Sequence, residues 1–211
     1  MIFGQLTNGH TGTHSSWLCP SHMCLGYNQA DLGDGPHRFL ESTPHARAVH
    51  EAGHIVVARW FGFSIKSARV VPEPDDIHSA AADIDYGEPP PDALIRQDWA
   101  ERIARVCYAG STATALFYEG EATDKDAIDD FGFAAFTLTK YVTDCRRRTR
   151  RNRLLEEAQT DARKLLGHLG EACRQLADVL AVTDHMNEAD IHSLIDPLIP
   201  SAGRPMPITP T

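Results

Sequence analysis

The run Ala48-Val49-His50-Glu51-Ala52-Gly53-His54-Ile55-Val56-Val57-Ala58 sets two histidines and a glutamate inside an apolar stretch of helical period. Four residues of α-helix make one turn and a small offset, so His50 and His54 project from one face. Two imidazoles stacked that way can share one metal ion, and zinc suits nitrogen ligands. Glu51 adjoins the first ligand, placed to take a proton from an attacking water rather than to bind the metal. A short pattern can arise by accident in a chain with eleven histidines. The context weighs against that. Val49, Ile55, Val56, Val57 and Trp60 fit a buried helix, in which a carboxylate without a partner or a task is costly. Gly53 costs a mid-helix position about 1 kcal/mol against alanine, which makes sense where something must approach the backbone.

The remaining 200 residues bound the setting. A length of 211 residues suits one domain with flanking tails. The formal net charge of −9 argues against nucleic acid as a partner, while leaving room for a local basic patch. Five cysteines are an odd number, and Cys107, Cys145 and Cys173 lie in helix-like sequence, which fits free thiols in a reducing compartment. No apolar run is long enough to span a membrane, and Met1 to His14 lacks the basic start and apolar core of a secretory signal. The expected location is cytoplasmic.

Residues 1–43 mix Gly, His, Ser, Thr, Asn and Pro without period and read as a mobile leader. Its Cys19, His22 and Cys24 lack a matching second pair, so they read as incidental. Thr43-Pro44 opens the first helix, which runs to about Trp60 and stops at Gly62. Ile65 to Val71 is a strand ended by Pro72 and Pro74, and Ala82 to Tyr86 is a second short strand in an acidic loop or hairpin near the site. Asp92 caps a helix through Trp99, Ile103 and Val106. The small residues Ala109 to Ala113, where helices can pack closely, then lead to Tyr118. A further helix is expected from Asp129 to about Thr143.

Six arginines fall between Arg146 and Arg153, read as a solvated helix start that pairs with acidic surface. A long helix follows, with Leu154, Ala158, Leu166, Leu169, Leu176 and Leu180 on one face. A short helix begins at Glu188 and takes in Ile191 and Ile195. The fold class is therefore mainly α, with a small β-hairpin or short sheet near the metal helix. The packed domain spans 44–196, and 197–211 forms a tail.

A catalytic zinc site needs a third protein ligand that leaves one position for water. No histidine follows His54 closely, so the aspartates Asp124, Asp126, Asp129 and Asp130 are the candidates. Each could instead be there because a helix N-terminus favours negative charge.

The order of features resembles the protease domain of FtsH, the AAA-type ATP-dependent zinc metalloproteases. That family carries H-E-A-G-H, a strand ending in Pro, a G-G-x-x-A-E-E-L-x-F helix, and an N-D-L-x-x-A-T helix whose aspartate completes the zinc site. The counterparts here are His50 to His54, Arg69 to Pro72, Ala109 to Tyr118, and Asp129-Asp130-Phe131 with Ala134 and Ala135. The resemblance covers about residues 44–196. It implies zinc held by His50, His54 and Asp130, with Asp129 and Asp126 in reserve, and Glu51 as the base in peptide-bond hydrolysis.

Two departures qualify what is implied. No phosphate loop G-x-x-x-x-G-K-[ST] occurs in these 211 residues. The expected substrates are thus small or already unfolded polypeptides, with a separate ATPase and a hexameric homo-oligomer as the partners the resemblance raises. Thr114 and Ala115 replace the paired glutamates. That leaves open an alternative, a weak or inactive metallopeptidase-like scaffold serving as a binding or regulatory module.

Overall fold

The computed structural model describes residues 43–70, 80–119, 125–183, 185–201 and 205. The expectations for residues 1–42 of the 1–43 leader, for Cys19, His22 and Cys24, for Asp124 and for the prolines after the first strand lie outside the described residues. So does the side chain of Asp126.

The first helix, α1 (Pro44–Trp60), begins where its sequence demands. The Thr43 hydroxyl accepts from the Ala46 N–H at 3.1 Å, and Pro44 occupies the first helical position. It ends in a paired-turn cap. Phe63 N–H donates to the Ala58 carbonyl and Gly62 N–H to that of Arg59, with Gly62 at φ 85°. From Ala46 to Ala58 every residue is buried, so α1 is the central element of the molecule.

Around it the chain runs β1 (Ser64–Val70), β2 (Ala80–Asp85), α2 (Ala93–Phe117), α3 (Lys125–Tyr141), α4 (Arg148–Leu180), β3 (His185–Asn187) and α5 (Glu188–Ile195). The molecule is mainly helical, with one three-stranded antiparallel sheet of order β2-β1-β3. β1 and β2 match the two expected strands to within two residues at each end. β3 was not foreseen. Three residues carry no alternation of their own, and Met186 pairs with Ala68 only because α4 returns the chain to the free edge of β1. The Asp92 carboxylate caps α2 as expected, accepting from Leu94 and Ile95 N–H at 2.9 and 3.0 Å. The Trp99 indole donates to the Tyr86 carbonyl at 2.8 Å, fastening the end of β2 to that helix.

Two boundaries differ from expectation. α3 begins at Lys125 rather than Asp129, so Asp130 sits in its second turn instead of at a helix start. The packed chain also passes the expected limit at 196. Ile199 is buried, and its N–H bonds the Ile195 carbonyl. The long helix α4 is continuous over 33 residues and buries the expected stripe from Leu154 to Leu180. Its arginine-rich start is paired at two places, Arg150 with Asp144 (3.8 Å) and Arg153 with Glu157 (3.4 Å). Arg59 makes a two-pronged bond to Asp196, both contacts at 2.7 Å, joining the end of α1 to the end of α5. Among the described residues no helix is long and apolar enough to cross a membrane.

Cys107, Cys145 and Cys173 are buried and form no disulfide among the described residues. Burial pushes the Cys173 thiol up to about 12. Its folded pKa lies above its unfolded value near 9, so above that pH the unfolded chain binds fewer protons than the native one and stability falls. This contribution is complete below about pH 9 and is lost progressively towards 12. Urea midpoints measured across pH 8 to 10.5 should therefore fall more steeply for wild type than for Cys173→Ala. Parallel slopes would contradict this.

Candidate metal centre

The buried stretch of α1 carries four polar side chains, Arg47, His50, Glu51 and His54. Their spacing is i, i+3, i+4 and i+7, the geometry of a single helical stripe. All four line one cavity of about 270 Å³. Arg47 was not singled out from the sequence. The signal for it was present, since it extends the His50-Glu51-His54 face by one turn.

The opposite wall comes from α3. Asp130 turns inward, and its Oδ2 lies 3.1 Å from the Nε2 of both His50 and His54. The two Nε2 atoms are 2.9 Å apart. One ligand atom from each of the three residues thus falls within a group able to hold a metal ion. A tetrahedral zinc with bonds of about 2.0–2.1 Å spaces its ligands roughly 3.3 Å apart, so the observed triangle is a few tenths of an ångström tight. Two imidazoles and a carboxylate form a donor set suited to zinc. Asp129 lines the cavity but stands outside the group, as does Glu51.

His54 is aimed from behind by α2. The His54 Nδ1 lies 2.7 Å from the Val106 carbonyl, so Nδ1 carries the proton and Nε2 faces the site. This main-chain contact fixes the orientation of the His54 ring. The Thr114 hydroxyl bonds the Gly110 carbonyl of its own helix at 3.1 Å and does not reach the histidines.

Gly110 is the point of closest approach. A Cβ there would fall on the Nε2 of His54 and within 2.6 Å of the Nε2 of His50. One turn away the relation is reversed, because a Cβ on Gly53 would lie 2.5 Å from the Ala109 carbonyl oxygen and 2.6 Å from the Ala113 Cβ. Glycine on each helix thus lets α1 and α2 cross closely, with the imidazole tips at the crossing.

The electrostatics favour a cation at this point. Burial opposes charge on His54, but the Asp130 carboxylate outweighs it, aided by Glu51 and the Val106 carbonyl, and raises its pKa to about 9. Burial likewise opposes charge on Asp130, yet the two histidines hold its carboxyl well below the usual range. The pocket carries fixed negative charge where the two Nε2 atoms meet.

No protein-family model matches the chain, and a search of curated proteins found no match to it.

Proposed function

We propose that the chain is a zinc-dependent metallopeptidase with an FtsH-like peptidase domain, hydrolysing peptide bonds of small or unfolded polypeptides. The observation that carries this reading is the convergence of His50, His54 and Asp130 beside a buried Glu51 in one cavity. When bound, zinc would supply Lewis-acid polarisation of a carbonyl and lower the pKa of a water towards neutral. His50, His54 and Asp130 would hold it. Glu51 accepts the proton released by the attacking water and delivers it to the leaving amine.

The cavity mouth supports an extended substrate. Ala80, Ala81, Ala82 and Ile84 of β2 line it. Among the described residues β2 is at the edge of the sheet, paired with β1 on one side only, and an edge strand can hydrogen-bond a peptide backbone laid alongside. Its small side chains leave room for those of a substrate.

The test combines metal content of wild type and His50→Ala with cleavage of an unstructured polypeptide. Stoichiometric zinc in wild type, little in His50→Ala, and cleavage by wild type alone are expected. Zinc-loaded wild type that leaves every unstructured polypeptide intact would overturn the peptidase reading. One observation favours the scaffold alternative: Thr114 is turned into its own helix and Ala115 is exposed, so no carboxylate comes from that turn to support the histidines.

A further inference from the structure

Peptide hydrolysis places negative charge on the scissile carbonyl oxygen, and a hydrogen-bond donor aimed at that oxygen is a large catalytic contribution. Outside the metal group the cavity is lined by two donor side chains, Arg47 and Tyr86, and Tyr86 is the uncharged one. Tyr86 follows β2 directly and lines the same cavity as His50, Glu51, His54 and Asp130.

Its ring is fixed on several sides. Phe63 packs edge-on with centroids 5.2 Å apart, Phe133 lies at 6.0 Å, and the Tyr86 carbonyl is held by the Trp99 indole. The fixed ring leaves the hydroxyl little freedom. Among the described residues that hydroxyl has no hydrogen-bond partner, the residue's bond being through its main chain. Tyr86 is half-buried on the wall of the cavity that holds the metal group, which leaves its phenol able to meet a ligand there.

We propose that Tyr86 is a catalytic residue whose hydroxyl donates to the scissile carbonyl oxygen as it becomes an oxyanion. The inference rests on the peptidase reading above and adds the donor that this reading lacks. In the reaction the water oxygen bonds the carbonyl carbon. One water proton passes to Glu51 and then to the amide nitrogen. The C–N bond breaks to leave a carboxylic acid and an amine, and Tyr86 keeps its proton throughout. With the site metal-free, burial first, then Cys107 and the charges of Asp130 and Glu51, raises the pKa of the phenol well above its ordinary value.

The experiment compares Tyr86→Phe with wild type as zinc-loaded full-length protein. The variant retains the ring and its packing, and equal melting temperature and zinc content would establish that the site is intact. The expected result is a kcat about 100-fold lower with KM within a factor of two or three. A second readout needs no turnover. A phosphinic peptide, with a tetrahedral phosphinate in place of the scissile amide, should bind Tyr86→Phe about 100-fold more weakly. Binding of the uncleaved substrate peptide, measured in a Glu51→Gln background, should be unchanged. Wild-type kcat and phosphinate affinity in Tyr86→Phe would overturn this proposal alone, the Glu51-dependent peptidase activity still standing. A wild type that cleaves nothing and binds no phosphinate would overturn both.

Discussion

Glu51→Gln should reduce peptide hydrolysis by about 10²–10⁴-fold while zinc remains bound at one equivalent. The two side chains have the same shape, so the α1 packing around position 51, which is buried in the wild type, is preserved. The amide cannot accept a proton, so the attacking water loses its base and the leaving amine its donor. Metal content should hold because Glu51 is outside the group formed by His50, His54 and Asp130. Its charge does contribute to the field at His54, but less than that of Asp130 does. Asp130→Asn should therefore weaken zinc binding more than Glu51→Gln. The comparison separates the two functional readings, since a scaffold that only binds would behave alike in wild type and Glu51→Gln. Equal cleavage rates in the two proteins would remove Glu51 from the mechanism.

What was legible in the sequence was local. Thr43, Pro44 and Gly62 mark the ends of α1 through hydrogen bonds made within a few residues, so the chain itself announces them. The His50-His54 pair is a property of one helical turn and needs no tertiary information. Asp130 was harder, because four nearby aspartates competed and only packing decides which turns inward. α3 starts at Lys125 and carries Asp130 into its second turn, where favour for acids at a helix start no longer explains it. Among the described residues α2 packs against both α1 and α3, and Asp130 is the aspartate that meets the imidazoles. Tyr86 was hidden for the same kind of reason. Read along the chain it is the last residue of a short strand, and only the Trp99 anchor and the flanking Phe63 and Phe133 turn it into part of a site. β3 exists because β1 has a second edge to fill, which no local pattern records.

Gly110→Ala should abolish stoichiometric zinc binding, and with it any hydrolysis, at a modest cost in stability. An alanine in a helix interior is intrinsically better than glycine by about 0.5–1 kcal/mol, so propensity alone predicts a more stable protein. The added Cβ, however, falls on the imidazole tips. Those groups are the ends of rotatable side chains, so they can swing aside, and the site is lost while the helix crossing survives. Gly53→Ala adds the same methyl on the other helix but meets the Ala109 main chain and the Ala113 Cβ. Backbone cannot swing aside, so overpacking of about 1–3 kcal/mol or more should appear as lost stability. Gly132→Ala serves as the control, since a Cβ there meets nothing within 4 Å, and it should keep zinc and gain slightly in stability. Urea denaturation and zinc content measured on the three variants would distinguish these outcomes. Wild-type zinc affinity in Gly110→Ala would sink the geometry of the site, because two imidazoles facing that methyl could not also face a common ion.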